Sequence, residues 1–422
     1  MPVLLIGTLD TKGREIDFVR DLLAAGGAEV TVIDAGCLGE PAIAADVTRQ
    51  AVFEAVGTSL DAVRGAGDRG KAIELAAEGV RRIALELHQR GEVEGLLGLG
   101  GSAGTIIATS AMRALPFGIP KLMVSTLASG QTRPYVGVRD VMMLNSVVDL
   151  AGINRISRTV LANAAGAMLG MLGLDSAKAA RAARSAGGEA DRPLVAATMF
   201  GVTTPCVEAA RAILEQAGYE VLVFHATGTG GQAMESLVAD DLVAGVLDVT
   251  TTELADELIG GVLSAGPDRL TVAAQHGVPQ VVVPGALDMV NFGPRDTVPP
   301  QFQKRTFYQH NPAVTLMRTT PEENRTLAEE IARKTAAATG PVAILLPLGG
   351  VSAIDRAGQP FADPEADAAL FDALRANVAG NVELVELDLH INDPAFARAA
   401  AEKLLELIGR GASQPSERAP GK

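Results

Sequence analysis

The sequence predicts an α/β protein of two doubly wound, Rossmann-like parallel-sheet domains related by an internal repeat. Three observations carry that expectation. Short apolar runs alternate with amphipathic helical stretches through most of the 422 residues, a length beyond what one hydrophobic core usually serves. Segments of the first half recur, in the same order, in the second. Aromatic residues make up only 3% of a chain that is 48% hydrophobic, so its cores are built from Ala, Val, Leu and Ile. Such residues suit a buried parallel sheet under closely packed helices.

The first half opens with Val3 to Ile6 as a strand, a polar turn from Gly7 to Gly13, and a helix from Glu15 to Ala25. Gly26 and Gly27 stop that helix, and Val30 to Ile33 is a second strand ending at Asp34, which completes a βαβ unit. Ala72 to Arg90 reads as a helix, with Leu75, Val80, Ile83 and Leu87 near helical spacing. Val93 to Leu99 is a strand, Gly100 to Thr105 a glycine-rich turn, Ile106 to Leu115 a helix and Pro120 to Thr126 another strand. The apolar stretch from Thr159 to Leu174 is too short and too interrupted to span a bilayer. It is predicted to be a buried helix whose small residues, Ala162, Gly166 and Gly170, pack against another backbone.

The second half repeats this order. Pro193 to Gly201 matches Pro2 to Thr8, and Gly218 to His225 matches Gly27 to Asp34. Val93-Glu-Gly-Leu-Leu-Gly-Leu faces Val243-Ala-Gly-Val-Leu-Asp-Val, and Gly118-Ile-Pro-Lys-Leu-Met-Val faces Gly277-Val-Pro-Gln-Val-Val-Val. Strands at Val342 to Leu346 and Val382 to Leu389 follow, then a helix from Pro394 to Leu407. The expected domains are residues 1–186 and 187–408, joined by the polar stretch Arg184 to Arg192, with a disordered tail at 409–422.

Charge removes whole classes of partner. The formal net charge is -14 with no block of Lys or Arg, so a nucleic-acid backbone or an anionic membrane surface finds no basic stripe. Any phosphate must be held locally, by backbone N–H groups and one or two cations. Cys37 and Cys206 lie in separate halves, form neither a disulfide framework nor metal-ligand spacing, and fit a reducing cytoplasm. The N-terminus has no basic region ahead of its first strand, which argues against a signal peptide and for a cytoplasmic location.

The chemistry gathers at strand-to-helix turns. Gly98-Leu-Gly-Gly-Ser-Ala-Gly-Thr105 follows an apolar strand and opens a helix, where glycines permit close approach and free N–H groups favour an anion. Gly100, Gly101 and Gly104 supply the backbone, and Ser102 and Thr105 the hydroxyls; a purely steric packing turn is the competing reading. Thr8, Asp10, Thr11 and Lys12 end the first strand, with Lys12 a candidate phosphate partner and Asp10 a candidate Mg²⁺ ligand or an orienter of Lys12. Those residues read equally as a solvated turn with Asp10 or Thr11 as helix cap. Ser125, Thr126, Ser129, Gly130 and Arg133 follow another strand. Ligands bind outside the carboxyl ends of such strands, so all three sets are expected at one crevice.

In the second half His225-Ala-Thr-Gly-Thr-Gly-Gly231, Thr250 to Glu253, Gly285 to Gly293, His310, Gly349 to Ser352 and His390 to Asp393 lie at strand ends or turns. His225, Asp288 and His390 are the candidate catalytic residues, facing the first set across a shared cleft. No His or Cys spacing supports a metal. A histidine satisfying local hydrogen bonds is the simpler reading of each.

These motifs together resemble the ATP-binding domain family named after the tomato mosaic virus resistance protein. The match is carried by Gly7-Thr-Leu-Asp-Thr-Lys-Gly13, Gly100-Gly-Ser-Ala-Gly-Thr105, Pro120 to Thr126, Asp149 to Arg155, Met199 to Cys206, His225 to Gly231, Gly285 to Gly293 and His390 to Pro394. Ala103 departs from the glycine more usual there. The resemblance implies ATP as ligand, a homodimer and, for bacterial members, a separate TIM-barrel partner protein. The leading expectation is a nucleotide-binding protein whose first domain holds ATP and Mg²⁺. The alternatives are a hydrolase or lyase acting on a small carboxylate or carbonyl metabolite between the domains, and a nucleotide-sensing module that binds a partner protein.

Overall fold

The computed structural model describes residues 1–173 and 192–413. The chain divides into two compact units, residues 1–190 and 191–422. The boundary expected at 186/187, the linker up to residue 191 and the tail from 414 onward lie outside the described residues.

In the first unit β1 (Pro2–Gly7), β2 (Glu29–Asp34), β3 (Gly95–Gly100), β4 (Lys121–Ser125) and β5 (Met142–Asn145) form one sheet. Its order is β2-β1-β3-β4-β5, and every pairing is parallel. The continuous apolar run of β1 follows from burial on both faces. Leu4 and Ile6 enter one core with helices Arg69–Gln89 and Ser102–Ala114. Val3 and Leu5 enter the other with helices Leu9–Ala25 and Arg155–Gly173. Each such aliphatic side chain contributes about 1.5–3 kcal/mol by leaving water. Gly98 sets how near helix Ser102–Ala114 lies: a Cβ there would stand 2.5 Å from Ala108 Cβ and 2.8 Å from Met123 Sδ.

Helix Arg155–Gly173 corrects one expectation. It buries Leu161, Ala164, Ala165 and Met168 but leaves Ala162, Gly166 and Gly170 exposed. A Cβ at either glycine would meet nothing within 4 Å, so this small-residue stripe packs against no described backbone. The apolar residues i, i+3, i+4 and i+7 from Leu161 took the core face instead.

The second unit holds β6 (Leu194–Met199), β7 (Glu220–His225), β8 (Gly245–Thr250), β9 (Gln280–Gly285), β10 (Met289–Phe292), β11 (Phe307–Asn311), β12 (Val314–Arg318), β13 (Val342–Pro347) and β14 (Val382–Leu387). Six of them make a parallel sheet ordered β14-β13-β9-β8-β6-β7. The other three form a small antiparallel sheet, β10-β12-β11, inserted after β9. The final helix spans Pro394–Ser413, past the expected end at Leu407. Arg410 pairs with Glu406 one turn back and with Glu383, and these pairs support the extra turn.

Both parallel sheets are wound alike, as a repeat requires. In each the second strand lies outside the first, and the third pairs on the first strand's other side. Winding therefore reverses between β1 and β3 and again between β6 and β8. Crevices outside the carboxyl ends of strands at such reversals are where ligands bind in open α/β sheets.

Candidate functional site

The reversal between β1 and β3 places two turns side by side. The first, expected as a polar turn up to Gly13, is helical from Leu9: Thr8 is the N-cap of helix Leu9–Ala25, and Asp10 to Lys12 lie in its first turn. Thr8 Oγ1 and Thr11 Oγ1 are hydrogen-bonded at 2.6 Å. Asp10 accepts the Leu38 amide at 2.8 Å and the Gly39 amide at 3.2 Å, and Arg49 stands 3.9 Å away. Buried Asp34, at the end of β2, accepts the Leu9 and Gly36 amides at 3.0 and 2.9 Å and Arg49 Nε at 2.6 Å. Two carboxylates and one guanidinium thus clamp the loop after β2. Gly36 is forced by this clamp, since a Cβ would lie 2.6 Å from Asp10 Oδ1. Lys12 is not oriented by Asp10. Its helix geometry breaks at φ -129°, and its ammonium bonds the Leu150 carbonyl and lies 3.9 Å from Asp149.

The second turn divides its glycines by cause. A Cβ on Gly100 would stand 2.7 Å from Gly104 Cα, and one on Gly104 would stand 3.1 Å from the Leu99 carbonyl. Those two glycines serve the close strand–helix approach. Gly101 differs: its nearest contact would be Thr126 Oγ1 at an ordinary 3.7 Å, and it is the N-cap of helix Ser102–Ala114 without any side-chain cap. The first-turn amides there carry the positive end of the helix dipole. Thr105 is buried, its hydroxyl bonded to the Gly101 carbonyl and to Ser125 Oγ, each at 2.7 Å. Ser125 also accepts the Leu127 amide at 3.0 Å, so this pair is internal to the protein. Ser102 is exposed and Thr126 half-buried; Ser129, Gly130 and Arg133 are exposed in the segment after β4.

A cavity of about 440 Å³ opens at these turns. Thr8, Asp10 and Thr11 line it, as do Ala103 and Ile107 from the glycine-capped helix. The remaining predicted binding residues, Lys12, Gly100, Gly101, Ser102, Gly104, Thr105, Ser125, Thr126, Ser129, Gly130 and Arg133, are not among its lining residues. Sequence reasoning missed Cys37 and Leu38 and the opposite wall, formed by Val63, Arg64, Asp68, Arg69, Ala72, Ile73 and Ala76. Those residues sit on helices of the crossover between β2 and β3 and read as ordinary amphipathic sequence. Burial chiefly pushes the Cys37 thiol up, with Asp10 adding to the rise.

In the second unit the three catalytic candidates do not all share one hydrogen-bonded group. His225 ends β7, exposed, with its ring edge-on to Phe200 at 5.6 Å. The glycine-rich turn after it already holds an anion of the protein's own: Glu253 accepts the Gly228 amide at 2.7 Å and the Gly231 amide at 3.1 Å. Glu253 is paired in turn with wholly buried Arg269 at 2.7 Å, which forks onto Asp248. His310 lies exposed on β11.

Asp288 and His390 do come together, through Ser352. The Ser352 hydroxyl donates to Asp288 Oδ2 at 2.8 Å, and Asp288 Oδ1 has no partner. Burial first, then the charge of Asp355, pushes the Asp288 carboxyl up to about 8. His390 Nδ1 accepts the Asn392 amide at 3.1 Å, which leaves Nε2 to donate to the Ser352 carbonyl at 2.9 Å. Both ring nitrogens are occupied by backbone, so His390 holds two loops together and has no free atom for proton transfer.

Among the described residues no group of three or more His, Cys, Asp or Glu is set to hold a metal ion, and no helix is long and apolar enough to cross a membrane.

Known proteins of the same kind are readily found. The family described as "Uncharacterised protein family (UPF0261)" matches by its N-terminal domain over residues 1–177 and by its C-terminal domain over residues 192–408. A UPF0261 protein of Clostridium tetani is 49% identical over 96% of this chain and 98% of its own length. Another, from Mesorhizobium japonicum, is 47% identical over 94% of this chain and 97% of its own. The ToMV resistance protein Tm-1(GCR237) of Solanum lycopersicum is 44% identical over 80% of this chain, which spans 45% of that longer protein. Matched in both halves and along its length, the chain belongs to the UPF0261 family.

Proposed function

We propose that the first unit binds a nucleotide, ATP being the expected one, in the crevice outside β1, β2 and β3. The observation that carries this reading is the cavity at the winding reversal, which joins an apolar wall to an uncapped helix N-terminus. Its volume of about 440 Å³ falls in the range of small-molecule sites. Ala72, Ile73, Ala76 and Ile107 form a surface for a flat base, while the amides after Gly101, with Arg64 and Arg69, offer positive potential for phosphates. The residues do not fit a protein-held Mg²⁺. Asp10, the expected ligand, already accepts two amides beside Arg49.

Calorimetric titration of the full chain with ATP tests the reading, with Arg69→Glu as the variant. Arg69 is exposed, so its reversal leaves the fold intact. ATP affinity is expected to fall about 5- to 30-fold, the equivalent of roughly 1–2 kcal/mol for a partly screened charge contact. Equal affinity in the two proteins counts against a phosphate beside Arg69.

The same proposal includes a homodimer, a separate TIM-barrel partner protein and a cytoplasmic location. The first two rest on the family resemblance carried by the sequence motifs, and two free thiols, Cys37 and Cys206, support the third. Light scattering of the purified chain and co-purification from its native cells test the first two.

A further inference from the structure

The cavity at the winding reversal of the first sheet holds one carboxylate that the protein leaves half used. Three acidic side chains stand at this crevice, and they differ in what they already bond. Asp34, at the end of β2, sits where dinucleotide-binding sheets carry the acidic residue that holds a ribose hydroxyl. Here it accepts two amides and Arg49 Nε, and it does not line the cavity. Asp10 does line it, yet its side chain is only 3% exposed and its Oδ2 accepts the Leu38 and Gly39 amides. Asp68 lines the cavity and is exposed. Its Oδ1 caps helix Arg69–Gln89 through the Lys71 amide at 3.0 Å, and among the described residues no further hydrogen bond or ion pair engages Oδ2.

Topology sets the level at which Asp68 stands. Helix Arg69–Gln89 runs into the amino end of β3, and the carboxyl end of β3 opens helix Ser102–Ala114. Both helices therefore begin at the carboxyl edge of the sheet, and they share one core. Asp68 and Gly101 are their N-caps. Ala72, Ile73 and Ala76 follow Asp68 down the cavity wall. Ala72 lies about 6 Å deeper along the helix axis, roughly the breadth of a sugar ring. A nucleotide with its base on that wall and its phosphates beside Gly101 carries its sugar at the level of Asp68.

Resting on the nucleotide reading above, we propose that Asp68 selects the sugar. Its free carboxylate oxygen accepts a hydrogen bond from a ribose hydroxyl, which makes ribonucleotides the ligand class of this site. An ionised carboxylate only accepts, and the hydroxyl brings the donor. Hydrogen bonds to a charged acceptor are the stronger kind. A sugar without hydroxyls covers the carboxylate and gives it nothing in return.

Calorimetric titration of the full chain with ATP and with 2′,3′-dideoxyATP, which lacks both ribose hydroxyls, tests the proposal. ATP is expected to bind about tenfold more tightly, the low end for a bond to a charged group because Asp68 is exposed. Asp68→Ser keeps a preferred N-cap whose single hydroxyl the cap consumes, and the two nucleotides are then expected to bind within about twofold of each other. Circular-dichroism melting verifies that the variant folds. Losing a negative charge raises affinity for both triphosphates alike, so the ratio isolates the hydroxyl contact. Equal affinity of the parent for the two nucleotides, or a ratio that the folded variant preserves, overturns this inference and leaves nucleotide binding standing. A parent that binds neither nucleotide overturns both.

Discussion

Replacing Gly101 by Asp separates ligand binding from stability, because the two should move in opposite directions. Gly101 is the N-cap of helix Ser102–Ala114, with φ -82° and ψ -152°, a conformation open to any residue. An added Cβ meets only Thr126 Oγ1, at 3.7 Å. Asp is a preferred N-cap and its charge suits the helix dipole, so the gain over Gly is a few tenths to about 1 kcal/mol. For a domain near this size that is a rise of about 1–3 °C in melting temperature. A phosphate in the same place would lie about 4 Å from the new carboxylate, and like charges at that distance repel by about 4 kcal/mol at a near-surface effective dielectric. ATP affinity is therefore expected to drop by about a thousandfold while the melting curve moves slightly upward. Calorimetry and thermal melting of one protein preparation read both quantities. A folded variant with undiminished ATP affinity would refute phosphate placement at this helix.

Gly100→Ala is expected to destabilise the first unit by more than about 2 kcal/mol, since its Cβ meets backbone 2.7 Å away that cannot swing aside; chemical denaturation measures it. Glu253→Ala leaves the Gly228 and Gly231 amides unsatisfied and Arg269 short of a partner, a cost of about 3–5 kcal/mol. Millimolar phosphate should then raise the variant's melting temperature more than the parent's, and equal shifts would count against the turn as a filled anion site. Asp288 holds its proton up to about pH 8 when folded, against an ordinary value of 3.8. The folded state thus binds more protons than the unfolded one between those values, and this group's contribution falls as pH rises through that window. Asp288→Asn removes the decline, so its melting temperature should gain on the parent's from pH 5 to pH 9 and approach it near pH 4.

The match between the halves shows how much of the architecture was legible. The apolar runs Val3 to Ile6 and Val195 to Ala197 read as strands because both faces of a parallel sheet demand the same residues. The four recurring segments then implied two related, doubly wound halves, and both sheets share one winding. Short β5 and the β10-β12-β11 sheet were not foreseen. Met142 to Asn145 is a four-residue, half-exposed edge strand whose apolar run is short and follows no turn signal, and the inserted sheet pairs strands whose partners are distant or irregular in sequence.

By itself, then, the sequence determined the local chemistry: periodicity placed strands and helices, glycine spacing placed the tight turns, and the net charge argued against a nucleic-acid partner. The tertiary structure alone decided what each polar group faces. Nothing local distinguishes Gly101 from Gly100, or the turn at Gly228 from the one at Gly101. Yet Gly104 sits against one glycine and the carboxylate of Glu253, 25 residues onward, fills the other turn. Likewise Asp10 bonds a loop that starts after a whole helix and strand, and the apolar wall of the cavity comes from a crossover helix some sixty residues beyond Thr8. Hydrogen bonds and burial are satisfied by whichever groups the packed sheet brings near, and that proximity is a property of the closed fold, not of spacing along the chain.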